Sequence, residues 1–193
     1  RRAKVALSEA LSGFLFINLH HIGKFAVMQS VGRAALVSVG HGDDRVRSGG
    51  RKLLAALTKV ASDEQIRALV TAWFDELRKL PDASSSTLAE SCLDPLADDR
   101  HQLKRRRTAL LLGLCAFLSA NLGAVCPYIP RLMHRLAVFA NDPAPEVRRG
   151  IKCAFEEWWR AHRDGWELEH RSHFSTDQVE LIMPLMKAPT YLV

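Results

Sequence analysis

Three histidines near the end of the chain could carry out chemistry, because a neutral imidazole can bind a metal ion or transfer a proton near neutral pH. They are His162, His170 and His173. They flank a predicted loop, lack the HExxH spacing of a helical zinc site and have no cysteine nearby. We therefore interpret them as structural or surface hydrogen-bonding residues, and we predict no metal site.

A run of four basic residues, Lys104-Arg105-Arg106-Arg107, could bind an anion. Four consecutive residues span about one turn of an α-helix, so their charges surround the helix instead of sharing one face. The ordinary interpretation is a solvated helix start, and the functional one is an anion site. The net charge of +6 favours acidic partners in general but does not by itself indicate nucleic acid.

The last residues, Thr190-Tyr191-Leu192-Val193, form a short apolar and aromatic segment after Pro189. A chain end of this kind presents a free carboxylate, and capture of such an end in a pocket on another protein is a known mode of recognition. The alternative is a frayed terminus without a role. We predict that the rest of the chain is a platform that aims this tail.

Several classes of protein are not expected. The sequence contains no Ser-His-Asp elbow, P-loop or glycine-rich dinucleotide turn, so we predict no enzyme. The four cysteines are too far apart for a CxxC pair, which predicts reduced thiols in a nuclear or cytoplasmic protein. No signal-peptide pattern occurs, and no apolar run reaches the roughly 18–20 residues that span a bilayer. Because the chain opens on Arg1-Arg2 without Met, we expect a C-terminal fragment of a longer protein.

The elements that must position these residues are predicted to be helices, because apolar residues recur at steps of three and four and no β-type alternation persists. Ser62 and Gln65 have the spacing of a capping box. Residues 1–81 and 100–187 are predicted to form helix pairs, 82–99 an acidic, serine-rich surface loop, and 188–193 a docking tail. The predicted helices are Val5–Leu19, Lys24–Val39, a third that begins after Asp43-Asp44 and runs to Val60, Ser62–Leu80, Arg100–Leu122, Pro127–Phe139, Pro145–Ala161 and Ser175–Lys187. The buried face of Ser62–Leu80 should carry Ile66, Leu69, Val70, Trp73 and Leu77. The buried face of Pro145–Ala161 should carry Val147, Ile151, Phe155 and Trp159.

Two of the predicted turns resemble each other. Asp44, Val46 and Arg47 begin one helix, and Asp142, Val147 and Arg148 begin another. An aspartate in the turn followed by Val-Arg is the pattern of HEAT repeats, which run roughly 40–47 residues. The valines are 101 residues apart (147 − 46), which fits two repeats plus the acidic loop. We therefore predict an all-α HEAT-repeat α-solenoid, in which stacked helix pairs bury their apolar faces.

Four features of the second half of the chain occur in an order that resembles a known family. The resemblance is to the C-terminal end of the giant HEAT-repeat proteasome activators, of the two-hundred-kilodalton or bleomycin-resistance type (subunit 4-like). It covers about Arg100 to Val193, and before Arg100 only the helix order is similar. The features are Leu112-Gly113-Leu114, Pro127-x-x-Pro130, Asn141-Asp142-Pro143, and His162-x-Asp164-x-Trp166-x-x-Glu169-His170 followed by Phe174-x-x-Asp177-Gln178.

The resemblance implies a curved solenoid that caps the α-ring of the proteasome core particle. It implies that Thr190 to Val193 enter a pocket between two α-subunits, where the carboxylate meets a lysine and the gate is loosened. The family ending resembles hydrophobic–tyrosine–any residue. Tyr191 matches the hydrophobic position, but Leu192 replaces the tyrosine, which puts gate opening through a phenolic hydroxyl in doubt.

Three further expectations follow from the resemblance. Family members are similar to inositol-polyphosphate binders, so Lys104 to Arg107 are a candidate site for such an anion, although no cofactor is required. The family also resembles acetyl-lysine readers, which need an asparagine beside an aromatic residue. The Lys59–Ser62 turn, where we would look for that pair, carries neither, so acetylated histones are not expected as partners. The alternatives to a proteasome activator are a general HEAT scaffold of the nuclear-transport or phosphatase type, and a basic nucleic-acid-binding helical module.

Overall fold

The computed structural model of the chain describes residues 25–80, 97–123 and 125–187, with a few isolated positions before residue 15. Within these ranges the fold is all-α, as predicted, and contains no β-strand. Between the last two α-helices the chain continues through a 3₁₀ turn (Arg163–Gly165), a π-helical turn (Trp166–His170) and a second 3₁₀ turn (Arg171–His173). The α-helices are α1 (Phe25–Val39), α2 (Asp44–Val60), α3 (Asp63–Lys79), α4 (Ala97–Ala120), α5 (Ile129–Ala137), α6 (Pro145–His162) and α7 (Thr176–Met186).

Most helix bounds agree with the sequence predictions, and the differences occur where the composition is ambiguous. The helix α4 begins at Ala97 and not at Arg100, because small and acidic residues suit the first turn of a helix as well as a loop. The helix α5 ends at Ala137, two residues before the predicted Phe139. The predicted first helix falls largely outside the described residues, as do 82–96 of the predicted loop and all of the predicted tail.

The chain divides into two compact units, residues 1–113 and residues 114–193, and the division falls inside α4. In unit 1, α1 packs closely on α2 because Gly50 has no side chain. A Cβ at Gly50 would lie 2.8 Å from the Val39 amide nitrogen and 2.9 Å from the Ala35 carbonyl oxygen. Glycine at this position therefore allows the two helices to approach closely. Trp73 and Leu69 of α3 add to this core.

The start of α3 shows the predicted capping box. The Gln65 amide donates to Ser62 Oγ (3.3 Å), and the Ser62 amide donates to Gln65 Oε1 (3.0 Å). Two backbone donors at the start of the helix are satisfied in this way. All five apolar residues predicted for the buried face of α3 are buried: Ile66, Leu69, Val70, Trp73 and Leu77.

In unit 2, α5, α6 and α7 pack on one another around a core of aliphatic and aromatic side chains. The prediction for the buried face of α6 was correct for Val147, Ile151 and Phe155 and wrong for Trp159. Trp158 is the fully buried ring, because it lies three residues after Phe155 on the face that continues to His162. None of the helices in the described part of the chain is both long and apolar enough to cross a membrane.

The turn between α1 and α2 is closed by hydrogen bonds to a single residue, His41. The Arg47 guanidinium donates to the His41 carbonyl oxygen (3.0 Å), and the Asp43 amide donates to His41 Nδ1 (3.1 Å). Asp43 in turn caps α2, since its carboxylate accepts from the Arg45 amide (2.9 Å). His41 therefore acts as an acceptor twice, through its ring and through its backbone.

The turn between α5 and α6 has the same arrangement around Asp142. The Arg148 guanidinium donates to the Asp142 carbonyl oxygen (2.6 Å) and to the Pro143 carbonyl oxygen (2.9 Å). The Ala144 amide donates to the Asp142 carboxylate (2.9 Å). In both turns one residue accepts twice, through its side chain and its carbonyl oxygen: His41 in the first and Asp142 in the second. The donating arginine lies six residues after that residue, and the donating amide lies two residues after it. The structural counterpart of Asp142 is therefore His41.

This comparison agrees with part of the predicted correspondence between the two turns and corrects another part. Val46 and Val147, which precede the two arginines, are both buried. The prediction that Asp44 corresponds to Asp142 was wrong, because Asp44 is an exposed residue that pairs with the arginine of its own turn. The two units thus contain the same turn built around different acceptors.

Candidate functional site: an aromatic platform before the C-terminal segment

The end of α6 begins a cluster of rings that we call the aromatic platform: Trp158, Trp159, His162, Trp166, His170 and Phe174. Its centre is a stacked pair, in which the rings of Trp158 and His162 lie 4.0 Å apart and almost parallel. His162 Nδ1 is 2.8 Å from the Trp158 carbonyl oxygen, one helical turn back. Both side chains are buried, so the pair is part of the unit 2 core.

Trp166 and Phe174 pack against the stacked pair in edge-on and tilted arrangements. The ring centroids of Trp158 and Trp166 are 6.2 Å apart, those of Trp158 and Phe174 5.8 Å, and those of Trp166 and Phe174 5.3 Å. These are the separations that aromatic pairs prefer. The indole Nε1 atoms of Trp158 and Trp166 are buried without a hydrogen-bond partner among the described residues. The platform is therefore held by ring packing and not by hydrogen bonds from the indoles.

His170 closes the platform on one side. Its ring lies 4.9 Å from that of His162 and is nearly perpendicular to it. Gly165 leaves room for this ring, because a Cβ there would lie 2.9 Å from His170 Nε2. The π-helical turn thus places the His170 ring against Gly165, the residue before the turn. A side chain at position 165 would obstruct that contact.

The electrostatics of His162 favour its neutral form. Burial lowers the pKa of His162, and a charge on nearby His170 lowers it further. The hydrogen bond to the Trp158 carbonyl opposes this shift without cancelling it. A neutral His162 can donate from Nδ1 to the Trp158 carbonyl, which fixes its ring over Trp158.

The three histidines singled out in the sequence do not form one cluster. His162 and His170 meet in the platform, whereas His173 is exposed on the second 3₁₀ turn. Within the ranges the structure describes, no group of three His, Cys, Asp or Glu side chains is arranged to hold a metal ion. The structural role predicted for these histidines fits His162 and His170.

The last helix, α7, is capped at its start, and the residue that follows it contacts the platform. At its start, Ser175 and Gln178 form a second capping box, with amide-to-side-chain distances of 3.3 and 3.0 Å. At its end Met186 is buried, and the Lys187 amide donates to the Met183 carbonyl (3.0 Å). The Lys187 ammonium lies 5.4 Å from the centre of a Trp159 ring. Lys187 is the last described residue, so the predicted tail begins directly after this contact.

The residues predicted as sites are placed as follows. Thr190, Tyr191, Leu192 and Val193 lie outside the described residues, so their docking role stays a prediction. In the basic run, Lys104, Arg105 and Arg106 are exposed, Arg106 also pairs with Glu76 (Nε–Oε1 2.5 Å), and Arg107 is buried. The four side chains therefore do not all face solvent, and a ligand from solvent would meet Lys104, Arg105 and an Arg106 whose charge Glu76 already balances.

The sequence reasoning missed the platform, although the sequence carries a signal for it. Its rings follow one another at intervals of four residues: Trp158, His162, Trp166, His170 and Phe174. Residues four apart on a helix lie on the same face. An unbroken series of this length predicts a ring stack along one side of a helical segment.

The fold and the platform define a class of protein first: an all-α protein of packed helix pairs with a compact, aromatic-rich C-terminal unit. Residues 104–193 match the family model described as proteasome activator complex subunit 4-like, C-terminal. This part of the chain is therefore similar to the C-terminal region of the proteasome activator complex subunit 4-like family.

Individual relatives are similar over nearly the same length. Over 86 residues the chain is 33% identical to Proteasome activator complex subunit 4 of Xenopus laevis and 31% identical to the Homo sapiens protein of that name. It is 33% identical over the same length to Proteasome activator complex subunit 4B of Danio rerio. Each alignment covers 45% of this chain and 5% of the relative. The chain thus corresponds to a small part of the length of these relatives.

Proposed function

We propose that this chain is the C-terminal part of a proteasome activator, a regulatory and non-catalytic protein. The observation that carries the proposal is that the family match runs through the whole of α5 to α7 and on to Val193. It includes the aromatic platform and the segment that follows it. The relatives are named as activators of the proteasome, and a chain that shares their C-terminal region is expected to share that partner.

The proposed mechanism is binding. The helical pairs, as a HEAT-type solenoid, lie on the α-ring of the core particle, and Thr190 to Val193 dock in a pocket between two α-subunits. A terminal carboxylate with apolar neighbours supplies attachment through one charge-assisted contact and buried apolar area. Attachment changes the gate only to the extent that the chain binds the open ring more tightly than the closed one.

Leu192 can contribute to attachment of the tail but not to gate opening through a hydroxyl group. A leucine supplies apolar area to a pocket but has no hydroxyl to donate or accept a hydrogen bond. We therefore propose that this tail anchors the chain and opens the gate weakly. Nucleus and cytoplasm are the proposed location, and an inositol polyphosphate at Lys104 and Arg105 is a proposed but dispensable ligand.

The test is stimulation of peptide hydrolysis by a purified core particle, with affinity measured in parallel. Mass spectrometry of the purified protein first checks that Val193 carries the terminal carboxylate. Deleting Tyr191 to Val193 should weaken binding and abolish stimulation. Leu192→Tyr should increase stimulation more than affinity, and Leu192→Met is the matched apolar control.

Two results would contradict the proposal. Unchanged core-particle binding after the deletion would favour the general scaffold. Affinity for DNA that falls steeply with salt, and that is lost when Lys104 and Arg105 are both changed to Gln, would favour a nucleic-acid-binding module.

A further inference from the structure

The last described residue of the chain is held in place by an aromatic ring. The Lys187 ammonium lies 5.4 Å from the centre of a Trp159 ring, within the roughly 6 Å over which a cation is attracted to an aromatic face. No carboxylate among the described residues forms an ion pair with Lys187, so the ring is its partner there. Tryptophan is the side chain that gives the strongest contact of this kind.

Trp159 is itself held by the platform. Its ring is partly exposed, and its centroid lies 5.7 Å from that of buried Trp166 in an edge-on arrangement. The Trp159 ring thus contacts both Lys187 and the buried Trp166. Lys187 is therefore connected to the unit 2 core through Trp159.

We propose that Lys187 and Trp159 are positioning residues that set the point from which the C-terminal segment leaves unit 2. This inference rests on the proposed docking of that segment. Thr190 is three residues after Lys187, so an extended chain places it at most about 10 Å away. Fixing Lys187 confines the start of the docking residues to a small volume. It raises their effective concentration at a pocket that the rest of the protein already faces.

The first test measures positioning in the free protein. NMR relaxation gives amide order parameters for residues 188 and 190 in the wild type, in Lys187→Met and in Lys187→Arg. Methionine keeps the apolar stem and removes the charge, whereas arginine keeps a cation that can lie over the ring. Order parameters should fall in Lys187→Met and remain at the wild-type value in Lys187→Arg, with the same Tm in all three. Equal order parameters in all three proteins overturn the proposal.

The second test measures core-particle affinity with and without Tyr191 to Val193. In the intact chain, Lys187→Met should weaken binding roughly two- to five-fold, the effect of losing one exposed cation–π contact, and Lys187→Arg should bind as the wild type does. In the chain that lacks Tyr191 to Val193, Lys187→Met should have no effect, because a positioning residue acts only through what it positions. Where the shortened chain binds too weakly to compare, the order parameters and the Lys187→Arg result decide.

The contrary outcomes are distinguishable. If deleting the tail weakens binding but Lys187→Met does not, the positioning role is overturned and the proposed function stands. If Lys187→Met weakens both chains equally, Lys187 is a direct contact and the positioning role is again overturned. If deleting the tail changes nothing, the proposed function fails and this inference fails with it.

Discussion

Replacing Arg148 by alanine should destabilise unit 2 through the loss of two hydrogen bonds that close the α5–α6 turn. The guanidinium donates to the carbonyl oxygens of Asp142 and Pro143 at 2.6 and 2.9 Å. Hydrogen bonds from charged donors contribute about 1.5–3 kcal/mol when shielded from water. Arg148 is exposed, so we expect about 1–2 kcal/mol for the pair.

Arg149 provides a matched control in the same helical turn. It is also exposed, and it makes no hydrogen bond or ion pair with the part of the chain that the structure describes. Arg→Ala alters intrinsic helix propensity equally at both positions, by a few tenths of a kcal/mol. The difference between the two variants therefore isolates the contribution of the turn, and Arg148→Ala should be the less stable by about 1–2 kcal/mol.

The assay is urea unfolding of the chain followed by tryptophan fluorescence. Three of the four tryptophans, Trp158, Trp159 and Trp166, lie in unit 2, so the signal reports mainly on that unit. Hydrogen exchange of the Ala144 amide should also accelerate in Arg148→Ala. If the two alanine variants differ by less than about 0.5 kcal/mol, the ordinary range for exposed substitutions, the hydrogen bonds do not stabilise the turn.

Two further predictions concern titratable groups of unit 2. Burial lowers the pKa of His162, so below about pH 6.5 the unfolded chain binds more protons than the folded one, and the free energy of unfolding should fall as the pH decreases. In urea unfolding, His162→Gln should show a smaller fall between pH 7.5 and 5.5 than the wild type. An equal fall in both proteins would exclude His162 as the cause. Burial also raises the pKa of Cys115 to about 12. Iodoacetamide at pH 8 should therefore modify the exposed Cys153 well before Cys115 in the native protein, and should modify both in urea. Peptide mapping measures the two modification rates, and equal rates in the native protein would show that Cys115 is accessible.

The helices were predictable from sequence because their information is local. The capping box at Ser62 and Gln65 requires only two residues at the right spacing, and both hydrogen bonds form as predicted. The equivalent residues of the two turns were harder to identify. A turn of this kind needs a side-chain acceptor, and a neutral imidazole serves as well as a carboxylate. The match of Asp44 to Asp142 was based on residue type. The hydrogen bonds show that His41 is the residue that accepts as Asp142 does.

The aromatic platform was missed because its histidines were considered as metal ligands and Trp159 was assigned to the buried face of α6. Trp158 and Trp159 are adjacent, and sequence alone indicates that one faces the core without saying which. The series of rings at four-residue intervals decides the matter. Trp158 belongs to the series and is buried, whereas Trp159 does not belong to it and remains partly exposed.

The properties of α7 explain why the platform matters for the proposed docking. The helix has 11 residues and contains Pro184, and an isolated helix shorter than about 12–15 residues is marginal in water. Its stability must therefore come from the capping box at Ser175 and from the burial of Ile182 and Met186. Because the residues proposed to dock follow α7 directly, any change that loosens the platform also loosens the base from which they extend. Attachment to a ring would then depend on packing inside unit 2 as much as on the residues that enter the pocket.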